Sequence, residues 1–233
     1  MKSAAYLGLP LLCWSLAGCG DSSDDPAGTG ASPELQTYDP GPIVCGAGSV
    51  HFASHALQHS FGPGQNAGQN RFPTPLLGGP RGAGCCAGSL DVVSLGNGGS
   101  VVLAFAHNAI VDGPGDDFVV FENAFFVDGD EGRVFAELAE VAVSEDGEVW
   151  HAFPCDAVAP PYDRCAGVAP VYANVDDNSI DPLGKDAGGD RFDLAELGLE
   201  RARYVKITDR ADIAGMNGVF DLDAVAILNA ECP

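Results

Sequence analysis

The chain has 233 residues, of which 11 are Lys or Arg and 33 are Asp or Glu, for a net charge of −22. That acid excess repels phosphates instead of neutralising them, which excludes a nucleic-acid partner. Hydrophobic residues make up 46 %, too many for a disordered chain, and 31 Gly with 16 Pro indicate short elements joined by turns, not a helical bundle. The length suits one large all-β domain or two small ones.

The N-terminus reads as an export signal. Met1-Lys2 precedes an apolar run from Ala4 to Trp14, followed by Ser15-Leu16-Ala17-Gly18-Cys19. A basic start, a short apolar stretch and small residues before a cut site have this meaning, and the run is shorter than the ~20 residues a bilayer span needs. Leu16-Ala17-Gly18-Cys19 resembles the lipobox of bacterial lipoproteins at all of its positions. The resemblance implies removal of residues 1–18 and lipidation of Cys19; the alternative is an ordinary secreted protein whose cut site happens to end in Cys. Removal takes away Lys2 and no acid, leaving 10 basic residues against 33 acidic ones, a net charge of −23. Gly20 follows the cysteine where Asp does not, which in such lipoproteins favours the outer membrane or cell surface. Residues 19–40, with Asp21, Asp24, Asp25 and many small residues, have little to bury and are expected to tether the lipid to a folded domain over residues 41–233.

Setting aside Cys13 and Cys19 from the 8 cysteines leaves Cys45, Cys85, Cys86, Cys155, Cys165 and Cys232. In an exported domain these are expected as disulfides, for which six cysteines allow about 15 connectivities. Cys155 and Cys165 flank a short Pro-rich loop and form the expected pair, while Cys45 and Cys232 are each expected to take one of Cys85 and Cys86. No C-x-x-C pair supports a zinc site.

In chain order, strands are expected over Leu90–Leu95, Ser100–Ala106, Phe118–Asn123, Leu138–Ser144, Val149–Phe153, Ala202–Thr208 and Phe220–Leu228. Each is short, rich in β-formers and bounded by turn residues. Asp146-Gly147 closes a hairpin by supplying the positive-φ position. Phe192–Leu199, after Asp190, reads as a short helix. Strands at this spacing predict an antiparallel β-sandwich or jelly roll, with no repeat and no second domain boundary.

Val143-Ser144-Glu145-Asp146-Gly147-Glu148-Val149-Trp150 resembles the hairpin of discoidin-like, galactose-binding-type jelly rolls. Ala202-Arg203-Tyr204-Val205-Lys206-Ile207 and Phe220-Asp221-Leu222-Asp223-Ala224-Val225 resemble their later strands. Three further segments, Ser94–Ser100, Asp112–Asn123 and Gly188–Leu194, are similar to a bacterial cell-surface protein family to which no reaction is attached. The likeness covers about residues 48–229 and implies a jelly-roll fold and a surface location. It implies no reaction, since related jelly rolls mostly bind glycans, lipids or proteins.

The segment Asp112-Gly-Pro-Gly-Asp116-Asp117, leading through Phe118 to Glu122 and Asn123, sets hard oxygen ligands on a Gly/Pro loop before an apolar strand. Calcium takes about 6–8 oxygens, and clustered carboxylates supply them. Alternation puts Glu122 on the face of Phe118 and Val120, where a carboxylate needs a metal or a donor. Asp221 and Asp223, two apart on the last strand, share a face. One calcium ion is therefore expected, held by a subset of Asp112, Asp116, Asp117, Glu122, Asn123, Asp221 and Asp223, because such carboxylates would otherwise repel one another. Zinc fits less well, since no His or Cys lies in the motif. The competing reading is a solvated acidic loop with Glu122 at a sheet edge.

Other constellations are weaker. Asp128-Gly-Asp130-Glu131-Gly132 and Asp176-Asp177-Asn178 fail the EF-hand pattern, the first because its twelfth position is Ala139, and are expected as solvated turns. His51, His55 and His59 recur every four residues, but a strand would spread them over roughly 26 Å. There is no G-x-S-x-G or P-loop, and Gly82-Ala83-Gly84-Cys85-Cys86-Ala87 lacks the strand–helix setting of a nucleotide loop. The sequence therefore suggests a non-enzymatic, calcium-stabilised surface lipoprotein that binds an extracellular ligand, a glycan by resemblance or else a protein. The alternatives are a metal-dependent hydrolase using His107 or His151, and a structural envelope or adhesion component.

Overall fold

The structure is a computed structural model and describes residues 40–46, 48, 50–211 and 218–233. Cys19, the leader and the tether up to residue 39 lie outside the described residues. The strands in chain order are β1 (His55–Ser60), β2 (Val93–Ser94), β3 (Ser100–Ala104), β4 (Ile110–Val111), β5 (Phe118–Glu122), β6 (Phe125–Phe126) and β7 (Val134–Phe135). They continue with β8 (Ala139–Ser144), β9 (His151–Ala152), β10 (Asp190–Phe192), β11 (Arg201–Ala202), β12 (Tyr204–Asp209) and β13 (Asp221–Ile227).

These strands form an antiparallel β-sandwich. One sheet runs β1-β3-β12-β8-β9 and the other β10-β5-β13-β2, with the small pairs β4–β11 and β6–β7 beside them. Alternation explains the core. Val101 and Leu103 of β3, Val141 and Val143 of β8, and Val205 and Ile207 of β12 turn inward from the first sheet. Phe118 and Val120 of β5 and Leu222, Val225 and Ile227 of β13 meet them from the second. Phe118 stacks on Phe192 with ring centroids 5.2 Å apart and contacts Phe153 at 5.9 Å. Truncating such a ring costs about 3–5 kcal/mol.

β5 and β13 are apolar on both faces because both faces are covered. Their outer face carries Val119, Phe121, Ala224 and Ala226 against Val171, Ala173 and Ala187. Gly189 permits that cover: a Cβ there would come within 2.7 Å of the Phe121 ring.

The expected helix over 192–199 is instead β10 ending at Phe192 and a 3-10 turn, Leu194–Leu197, capped by Asp193 accepting from the Ala195 N–H at 2.8 Å. Gly198 in the left-handed region ends the turn before a second helical turn can form.

Cys155 pairs with Cys165 as expected. The remaining cysteines correct the expected pattern, since Cys45 pairs with Cys232 and Cys85 with its neighbour Cys86. The two ends of the domain meet because the segment around Phe52 lies antiparallel to β13, with the Ile227 N–H donating to His51 O at 2.7 Å. Buried Asn108 fastens both ends, its Nδ2 donating to Val50 O and to Cys232 O at 3.0 Å each.

Candidate metal centre and binding cavity

The structure distributes the seven expected ligands over three places. In the first, Asp117 is fully buried and its carboxylate is already satisfied. Oδ1 accepts from the Gly113 N–H at 2.9 Å and from Asn229 Nδ2 at 2.8 Å, and Oδ2 accepts from the Leu194 N–H at 2.7 Å. Asp117 thus ties its own loop to the turn after β10 and to the end of β13. Asp112 and Asp193 come close, with one oxygen of each of the three carboxylates within 4.8 Å of the others. Asp116 is exposed, and its backbone oxygen accepts from Asn229 Nδ2 at 3.1 Å.

Asp223 stands apart from Asp221. In the register of β13 against β5, Leu222 faces Glu122 and Ala224 faces Phe121, so Asp223 is the unpaired residue of a bulge. Both its oxygens accept from the Arg81 N–H, at 2.8 and 3.1 Å. Burial pushes its carboxyl up to about 8, and Arg81 itself is held by Asp176 at 2.6 Å. The shared strand face does not bring the two aspartates to one ion, because the bulge re-aims the chain between them.

The third place joins Glu122, Asn123 and Asp221 with three residues not anticipated from the sequence: Ser94, Glu137 and Asp209. Glu137 lies two residues before β8, Asp209 ends β12, and Ser94 lies opposite Asp221 in the β2–β13 ladder. Three successive backbone donors at the entry to β13 are taken by three carboxylates. Val219 donates to Glu137 Oε1 at 3.2 Å, Phe220 to Asp209 Oδ2 at 2.8 Å, and Asp221 to Glu122 Oε1 at 3.4 Å. Asp209 Oδ1 also accepts from the Gly98 N–H at 2.8 Å. Asn123 Oδ1 accepts from the Ser89 N–H, which connects the cluster to the loop carrying Cys85 and Cys86.

Burial and mutual repulsion raise the carboxyls of this place. Burial holds Glu122 well above the ordinary carboxylate range, and Glu137 and Asp221 add like-charge repulsion. Burial, then Asp221, pushes Glu137 up to about 8. Asp221 and Asp209 are raised by burial, and Asp221 also by Asp209. Three buried oxygens there have no hydrogen-bond partner: Glu122 Oε2, Asp221 Oδ1 and Ser94 Oγ. The Ser94 and Asn123 side chains lie beside the Asp221 carboxylate and favour its charged form, against the effect of burial.

Glu137 also borders a surface cavity of about 540 Å³, together with Asn66, Asn97 and Phe135. Phe135 is 39 % exposed and stacks on Phe125 across β6–β7, with centroids 5.0 Å apart.

The histidines do not converge. His51 Nδ1 lies 3.4 Å from Ile227 O, His55 Nδ1 lies 2.9 Å from Ser54 Oγ, and the His59 ring packs on Phe72 at 4.3 Å. His107 contacts Pro42 O at 3.3 Å, and His151 borders a separate cavity with Glu145, Asp146 and Arg201. The segments at Asp128 and Asp176 form turns closed by their own side chains, with Gly132 donating to Asp130 and Asp176 to Asn174.

Comparison with protein-family models, with curated proteins and with solved structures finds no match to the chain.

Proposed function

We propose that this chain is a non-enzymatic binding module of the bacterial cell envelope, anchored through lipid on Cys19, whose β-sandwich presents an extracellular-ligand site. The observation that carries the reading is the cavity of about 540 Å³ at which the Phe135 ring meets Asn66, Asn97 and Glu137. An exposed ring offers a flat apolar platform, and amides and a carboxylate around it offer donors and acceptors. That combination suits a glycan, whose sugar rings have apolar faces and hydroxyl edges. Three disulfides suit an exported domain. The lipobox at Leu16–Cys19 supports the anchor, since two or more acyl chains hold a protein to a membrane where one is marginal. Calcium is the cofactor that the all-oxygen donor groups suit.

The test is a glycan array probed with the mature chain and with Phe135→Ala, alongside a hydrolysis assay on any glycan retained. The reading predicts retention by the natural chain, loss in Phe135→Ala, and an intact ligand afterwards. Turnover of the ligand, or binding indifferent to Phe135, contradicts it. Intact-mass analysis of membrane-extracted protein is expected to show acyl chains on Cys19.

A further inference from the structure

We infer that the ligand of the Phe135 cavity is cationic, a glycan of amino sugars with free amines, whose ammonium pairs with Glu137. The inference rests on the glycan reading and adds the charge of the sugar to it. Two observations carry it. The first is placement. Phe135 ends β7, Glu137 follows two residues later, and both border the cavity of about 540 Å³. Gly218 leaves room for the carboxylate, since a Cβ there would come within 1.6 Å of Glu137 Oε1. The second is the polarity of the lining. The Val219 N–H is spent on Glu137 Oε1 at 3.2 Å, and the Asn97 N–H on Pro63 O at 2.8 Å. Asn97 Nδ2 also donates to Pro63 O, at 2.9 Å. The lining thus uses donors within the domain and offers oxygens to a ligand.

The charged groups that face Glu137 are Asp221 and Asp209, and burial with their repulsion raises its carboxyl to about 8. Among the described residues, Glu137 forms no ion pair. An ammonium brings donors and a positive charge together. Bound there, it draws Glu137 to its charged form and offsets the repulsion from Asp221 and Asp209. Phe125 stacks on one face of the Phe135 ring and leaves the other for the ligand. That face takes the apolar side of a sugar and attracts a cation through its quadrupole. A neutral sugar uses the ring alone. An acidic sugar is repelled by Glu137 and by a chain of net charge −22.

The experiment is calorimetric titration of the mature chain with short oligomers of glucosamine and of N-acetylglucosamine, which share the sugar ring and differ in charge. It is repeated on Glu137→Gln, Phe135→Ala and Asp116→Asn, with near-UV circular dichroism to report folding. Glu137→Gln keeps an acceptor for the Val219 N–H and removes the charge, while Asp116→Asn removes an exposed acid elsewhere. The expected result is an affinity about tenfold or more higher for the amine oligomer, a preference lost in Glu137→Gln and kept in Asp116→Asn. Phe135→Ala is expected to lose the amine oligomer, and it decides if Glu137→Gln fails to fold. Equal or stronger binding of the acetylated oligomer, dependent on Phe135, overturns the inference and leaves the glycan reading standing. A preference for the amine that survives in Glu137→Gln or Phe135→Ala also overturns it, since the charge is then met elsewhere. So does absence of binding of the amine oligomer, or equal binding of putrescine, an amine without a sugar.

Discussion

The backbone N–H of Asp221 donates to Glu122 Oε1 at 3.4 Å, while Glu122 Oε2 is buried without a hydrogen-bond partner. One carboxylate therefore does two things. It anchors the first residue of the last strand to the neighbouring strand, and it directs an unsatisfied oxygen into the interior. Glu137 makes the same kind of anchoring contact, its Oε1 accepting from the Val219 N–H. The entry to β13 is thus held by three carboxylates that accept from three successive backbone donors.

Asp117 acts differently, as a purely structural clamp. Asp117→Ala would leave the Gly113, Leu194 and Asn229 donors without their acceptor. The buried Leu194 donor costs about 1–3 kcal/mol when orphaned and the part-buried Gly113 and Asn229 donors add less, so the expected loss is about 2–3 kcal/mol in urea unfolding, with calcium present or absent. A loss that vanishes in EGTA would instead make Asp117 a metal ligand.

Asp190 makes stability depend on acidity. Burial pushes its carboxyl up to about 6, although the Gly167, Val168 and Ala169 N–H groups pull the other way. A folded-state pKa above the unfolded value of about 3.9 means that this contribution is complete below about 3.9 and is lost as the pH rises through about 6. The lost stability approaches about 1.4 kcal/mol per pH unit in that window. Asp190→Asn does not titrate, so its penalty relative to the natural chain is expected to shrink between pH 4 and 6 in urea unfolding. A constant penalty across that range would contradict the assignment.

The disulfides are expected to rank by the chain they enclose. Cys45–Cys232 spans 187 residues and Cys155–Cys165 spans 10, whereas Cys85–Cys86 joins neighbours. Loop entropy assigns about 5 kcal/mol to the first and about 3 kcal/mol to the second. Paired Cys→Ser variants in urea should follow that order, with Cys85→Ser/Cys86→Ser least affected. Non-reducing peptide mapping checks the pairing itself, and a Cys45–Cys85 or Cys86–Cys232 peptide would refute it.

Much of the fold was legible because β-strand periodicity survives wherever one face meets the core. β3, β5, β8, β12 and β13 fall where apolar alternation or a continuous apolar run places them. β1 was not legible, since His55, Gln58 and His59 interrupt the pattern and a register shift between Ala56 and Gln58 breaks its alternation. β10 has only three residues, Asp190–Phe192, and its pairing with β5 is a long-range fact that no local window contains. At the site, Glu122 was legible from the face it shares with Phe118 and Val120. Glu137 and Asp209 were not, because each is a single acid at a strand end, and only the entry to β13 brings them together. The separation of Asp221 from Asp223 depends on a bulge, which no residue type in that strand signals.

The ligand site beside Phe135 is the central claim, and locating a bound ligand is the most direct test. Crystals of the mature domain soaked with a glycan retained on the array would be compared with unsoaked crystals. The account predicts a sugar ring stacked on Phe135, within hydrogen-bond reach of Asn66, Asn97 or Glu137. A glycan bound elsewhere on the domain, or none bound, would contradict it.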